Sequence, residues 1–158
     1  MDARELLVET YAHLPPARAL EALSTDEAER RMAGAPHSIA EMVAHLRFWQ
    51  NWFRRRCEGA QAPMVEKAAT GWPEVLPGTW PRIRDEFVEE LEGLAAMGSS
   101  ESLDRRLEPS IEIPPLASYT VGDALVHVAN HNAHHLGQII VLRQLMGLWP
   151  PPSGGWTW

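Results

Sequence analysis

The chain has 158 residues, of which 45% are hydrophobic and 22% charged, with a formal net charge of −7. That length fits a single domain spanning 1–158 with room for a real core, and the balance is that of a soluble globular protein. The negative charge and the absence of any basic run speak against a nucleic-acid surface.

Cys57 is the only cysteine, which excludes an intrachain disulfide and a Cys-rich zinc site. The start M-D-A-R-E-L-L lacks the apolar stretch of a signal peptide, and no apolar run is long enough for a bilayer. A cytoplasmic location without a membrane partner is expected.

In residues 2–23, Leu6, Leu7, Thr10, Leu14, Ala17, Leu20 and Leu23 keep helical spacing, but Pro15-Pro16 interrupts it, predicting a kink or two short helices. His13 reads as a surface or packing residue. Ser24-Thr25-Asp26-Glu27 suggests a break and a short helical turn, and 33–37 a loop. Ser38 and Glu41 form a capping box for a long helix to about Arg56. Its apolar stripe is Ile39, Met42, Leu46, Trp49 and Phe53. His45 sits at the edge of that stripe, away from Arg47, Asn51, Arg54 and Arg55.

Residues 59–78 form a long loop, of the kind that often serves as a lid or binding segment. A third helix follows, with Thr79 as N-cap, Pro81 in its first turn and an end at Gly98-Ser99-Ser100. Ile83, Phe87, Leu91 and Leu94 take core spacing. Its acidic positions Asp85, Glu86, Glu89, Glu90 and Glu92 read as a solvated face. Residues 103–119, with three prolines, allow a short extended piece at most. The tail P-P-P-S-G-G-W-T-W is irregular, with tryptophans free to fold back on the protein or on another subunit.

The most informative stretch is Thr120 to Gly147. Thr120 and Asp123 resemble a capping box, and Gly147 is a natural stop before Pro150. Between them lie about seven helical turns. Four of the seven histidines are here, at 127, 131, 134 and 135. At about 100° per residue they share one arc with Gln138, while Leu125, Val128, Leu136 and Ile139 cover much of the rest. Buried imidazoles need partners. His131 and His135, one turn apart, can converge on one metal ion. The alternative is a set of core histidines bonded to backbone carbonyls and water. Position 132 is Asn, so the general-base Glu of the zinc-protease motif is missing. A catalytic metal usually has three protein ligands and one open position, and His45 is the candidate third.

The summed pattern is all-α, an up-and-down bundle of four main helices with a long loop between the second and third. Bundles of this kind often house metal sites between facing helices. The order S-I-A-E-M-V-A-H-L, an acidic middle helix, then H-V-A-N-H-N-A-H-H-L-G-Q-I resembles the DinB/YfiT-like superfamily over nearly the whole chain. The resemblance implies a three-histidine site mapping onto His45, His131 and His135. It also implies a divalent metal (Zn or Ni first, Mn or Fe next) and a homodimer. Many relatives carry Arg before the Gly-Gln, where this chain has Leu136, so no role of that Arg carries over.

Gly137 reads as a close-packing position, and Gln138 as a partner for a ligand's second nitrogen or for a metal-bound water. His127 could be a ligand if the site sits lower, while His134 reads as a supporting or exposed residue. A metal held by three neutral imidazoles would lower the pKa of a bound water or deprotonate a bound thiol. Two enzymatic readings follow: a hydrolase, or a transferase or isomerase using a low-molecular-weight thiol as co-substrate, as mycothiol- and bacillithiol-dependent relatives do. With no acidic base evident in the site, thiol activation is favoured. The small-molecule pocket is expected from the 59–78 loop, Trp72 and the C-terminal tryptophans. A non-catalytic, metal-stabilised dimeric module is the competing reading.

Overall fold

The computed structural model describes residues 2–98 and 102–156. Among them the protein is all-α. Helices α1 (Ala3–Leu7), α2 (Pro16–Ala19) and α3 (Thr25–Glu29) are short. Helices α4 (Ile39–Cys57), α5 (Trp80–Ala96) and α6 (Val121–Leu145) are long. Single 3₁₀ turns occupy Ala68–Gly71 and Pro114–Leu116, and Arg106 and Thr120 form an isolated antiparallel bridge.

Three of the four expected long helices are present, and the first is replaced by fragments. Pro16 does not kink a continuous helix. It opens α2, where its missing N–H costs nothing. Helix α1 packs on α5 and α6, α2 on α6, and α3 on α4 and α5. Leu7, Leu14, Leu20 and Leu23 are all buried, so four of the residues that kept helical spacing enter the core, from α1 and from the segments around α2, while Ala17 is exposed.

The capping boxes form as the sequence indicates. The Ser38 N–H donates to Glu41 Oε2 at 2.7 Å, and the Glu41 N–H donates to Ser38 Oγ at 3.2 Å. Thr120 and Asp123 do the same for α6, and the structure adds a third box, Ser24 with Glu27, at the short turn of α3. Helix α5 is capped differently. The Thr79 side chain donates to Leu76 O and caps nothing. Glu29, from α3, accepts the N–H groups of Gly78 (2.9 Å) and Trp80 (3.1 Å) instead. A carboxylate at a helix N-terminus meets both the free N–H groups and the positive end of the helix dipole.

The acidic face of α5 is only partly solvated. Asp85 and Glu89 are exposed, but Glu90 binds Arg54 (2.5 Å) and Asn51 (2.8 Å) of α4. Glu86 pairs with Arg47, and Glu92 with Arg4 at 2.6 Å. Two faces that each looked merely charged are complementary and meet along the α4–α5 seam. On the other side of α4, Ile39, Val43, Leu46 and Phe53 are buried, as are Leu125, Val128, Leu136 and Ile139 of α6. Each such side chain contributes on the order of 1.5–3 kcal/mol when removed from water. The α4–α6 contact also buries one polar pair, Gln50 Nε2 donating to Asn132 Oδ1 at 3.0 Å. Gly147 (φ +72°) and the Leu148 N–H to Arg143 O bond (2.8 Å) end α6.

No helix among the described residues is long and apolar enough to cross a membrane. The end of α5 expected at Ser99 and Ser100, and the terminal Trp158, lie outside the described residues.

Candidate metal centre

Where α4 faces α6, His45 meets the two α6 histidines one turn apart. One ring nitrogen from each of His45, His131 and His135 lies within 4.8 Å of the other two. His45 and His135 are buried, at 7% and 8% exposure.

Hydrogen bonds set which nitrogen of each ring faces inward. His45 Nδ1 lies 2.6 Å from Gly71 O. A carbonyl only accepts, so Nδ1 carries the proton and Nε2 keeps its lone pair. His135 Nδ1 lies 2.8 Å from Gln138 Oε1, and the amide's Nε2 in turn reaches His134 Nε2 at 3.3 Å. His135 is thereby held in the same tautomer. The carbonyl–imidazole and amide–imidazole pairs are the usual means of orienting a metal-binding histidine.

His45 Nε2 and His131 Nε2 are 3.1 Å apart. With its Nδ1 donating to Gly71, His45 can only accept there. The contact is therefore either His131 N–H donating to His45 or two lone pairs on one cation. Two imidazole nitrogens on a tetrahedral zinc lie about 3.3 Å apart, given bonds of about 2.0–2.1 Å. The observed pair matches that spacing. The widest separation in the cluster needs to close by about 1.5 Å, a modest side-chain rotation. Three neutral nitrogen donors, two of them with their outer nitrogens satisfied, fit a borderline divalent ion such as zinc or nickel.

The electrostatics point the same way. Burial pushes the imidazolium of His131 down to about 3, and the neighbouring His135 and His45 rings add to the shift. Burial also lowers His45 and His135, against the opposing hydrogen bonds from Gly71 and Gln138. All three rings are neutral at physiological pH, the form that binds metal.

Loop residues complete the surroundings. Trp72 stacks on His45 with centroids 3.9 Å apart and planes 11° from parallel. His37 stacks on the other face of Trp72 at 3.7 Å, also at 11°. Gly71 is tightly held, since a Cβ there would lie 2.9 Å from Trp49 Nε1. The sequence reading missed His37 and Gly71. The available signal for His37 was its position immediately before the Ser38 cap, which places it at the mouth of α4.

The remaining expectations divide. His127 stays outside the cluster, with Nδ1 3.1 Å from the Tyr119 hydroxyl and its ring against Phe53. His134 is exposed and tied to Gln138. Leu136 is a core residue, 1% exposed. Gly137 does not serve close packing, because it is exposed and nothing lies within 4 Å of where its Cβ would be.

Two open clefts flank the histidines. One, of about 750 Å³, runs along His131 and His127 past Tyr119, Asp104 and Asp123. The other, of about 860 Å³, reaches His135 between the 32–37 segment and α6. Trp72 lines the second cleft as expected, but Trp156 lies with Trp149 and Pro150 around a separate small depression.

An all-α protein with three converging imidazoles between two core helices is the architecture of helical metal-site proteins. The DinB superfamily profile matches residues 7–139, and the chain belongs to that superfamily. No curated protein matches the chain.

Proposed function

We propose that the protein is a divalent-metal-dependent enzyme acting on a small molecule, with His45, His131 and His135 as the metal ligands. The observation that supports this reading best is the orientation of the rings. His45 and His135 each spend Nδ1 on an acceptor, and His45 turns Nε2 to within 3.1 Å of His131 Nε2. Zinc or nickel is the preferred ion. Such an ion supplies Lewis-acid chemistry, lowering the pKa of a thiol or water that it binds. The chain's own residues hold the ligand rings in register, cover one face of His45 with Trp72 and leave His135 open to a cleft.

Thiol activation is the favoured reaction class, giving a thiol-dependent transferase or isomerase. Among the described residues the cleft at His135 has no carboxylate in its lining. Activating a thiol needs only its deprotonation, whereas hydrolysis gains from a separate base. Hydrolysis is the second reading, supported by Asp104 in the cleft at His131. Asp123, also there, is engaged in capping α6.

The long helices, with α1–α3 in place of the first helix, are read as an up-and-down four-helix bundle joined by the 58–79 loop. A homodimer and a cytoplasmic location belong to the same proposal. Adding small thiols to the cobalt(II)-substituted protein tests the reaction class. A sulfur-to-cobalt charge-transfer absorption supports thiol activation. Its absence with every thiol tried, in a protein that holds cobalt, refutes it.

A further inference from the structure

The cleft at His135 has a one-sided composition. Among the described residues no Asp, Glu, Lys or Arg lines it, although the chain is 22% charged. Its walls are Met32, Pro36, Met42 and Trp72 on one side and Val141 and Leu145 of α6 on the other. Val141 and Leu145 are 52% and 68% exposed. Its polar groups gather at one end, where His37, His134, His135 and Gln138 stand. The cleft at His131, by contrast, carries Asp104, Asp123 and Asn130.

Gly137 lies on the α6 wall of this cleft. A mid-helix glycine costs roughly 1 kcal/mol relative to alanine. The usual structural reasons for one are absent here. Its φ is not left-handed, and no atom approaches within 4 Å of its Cβ position. What the missing side chain does is leave the cleft unobstructed one turn from His134 and Val141.

We infer that this cleft is a binding site for the uncharged, apolar body of a small-molecule substrate, an alkyl chain or an aromatic ring, and that Gly137 sets its capacity. The polar or metal-binding head of that molecule lies at His135 and the body runs along Gly137 toward Leu145. The inference rests on the metal-enzyme reading for the identity of the head group and on the cleft alone for the body.

The test is a titration of primary alcohols from butanol to octanol, followed by NMR at the Trp72 indole N–H, assigned with Trp72→Phe. Metal-free and zinc-incubated protein are titrated alike, with zinc content measured. Affinity should rise about fourfold per methylene, the value for a buried CH₂, while in the metal-free protein hexanoate and hexylamine bind at least tenfold more weakly than hexanol. Gly137→Leu should weaken octanol binding at least tenfold while leaving the melting temperature unchanged or higher, because it replaces an exposed mid-helix glycine. Gly137→Ala, with one carbon added, should fall between.

A chain-length series with no slope, or Gly137→Leu binding octanol like the parent, overturns the inference. So does a Gly137→Leu variant that turns a dimer into a monomer in sedimentation, because the space would then belong to a second copy. A slope that persists in a protein that takes up no zinc keeps the cleft and overturns the metal reading alone.

Discussion

Gly71→Ala should weaken metal binding without touching a ligand. Gly71 contributes a carbonyl 2.6 Å from His45 Nδ1, and its Cα faces the Trp49 indole. A methyl group there would meet Trp49 Nε1 at 2.9 Å and two ring carbons at 3.1 Å. Trp49 has little freedom to yield, since its ring is held edge-on against Phe48 and Trp52 at 5.2 and 5.9 Å. The 3₁₀ turn must therefore retreat, and the carbonyl goes with it. His45 then loses the acceptor that fixes its tautomer and ring angle. Losses of this kind typically cost about 10–100-fold in metal affinity, or about 1.4–2.7 kcal/mol.

The assay is zinc competition against a chelating indicator at pH 7.5, with thermal melts of the metal-free protein alongside. Because the turn lies on a loop, the metal-free melt should shift by no more than a few degrees. Gln138→Leu, which removes the acceptor at His135 Nδ1, should weaken zinc to a similar extent. Unchanged zinc affinity in both variants would refute the reasoning that these two acceptors orient the site.

Three other outcomes follow from the same structure. Metal-free protein should lose stability on acidification, because burial holds His131, His45, His135 and His127 below their ordinary value. Folded-state values below the unfolded 6.5 mean that this stability is present above about pH 6.5 and lost as pH falls toward 3. For His131 the span corresponds to about 5 kcal/mol, reduced to about 2 kcal/mol by partial solvent access; urea melts between pH 7.5 and 4 read it. Asn132→Ala should cost about 1–3 kcal/mol, because it strands the buried Gln50 amide, whose Oε1 already lacks a partner. The double variant Gln50→Leu/Asn132→Leu should recover most of that loss in a denaturant double-mutant cycle. Glu29→Ala should cost about 1 kcal/mol in the same assay, since it uncaps α5 from a different helix.

Local signals carried much of the fold into view. Ser38 and Thr120 each announce a helix start through a partner three residues on, and each makes that bond. The His131–His135 spacing and the position of His45 on its apolar stripe were enough to nominate the three rings that converge. What stayed hidden depends on contacts between distant segments. Glu29 caps α5 across 51 residues of chain, and no pattern near Thr79 reveals it. The charges of α4 and α5 look solvent-facing when each helix is read alone. Gly137 looked like a packing position because a helical glycine usually is one, and only the empty space beside it shows otherwise. Gly71 and His37 belong to a loop and its neighbour, where periodicity says nothing about which atom meets His45.

The most direct measurement is elemental analysis of untagged protein, purified without chelators, beside His45→Ala, His131→Ala and His135→Ala variants checked for folding by circular dichroism. One divalent ion per chain in the parent, lost in all three folded variants, is the expected result. Parent protein that stays free of metal after incubation with zinc or nickel, or variants that keep a full equivalent, would contradict a three-histidine metal centre and leave the rings as core histidines.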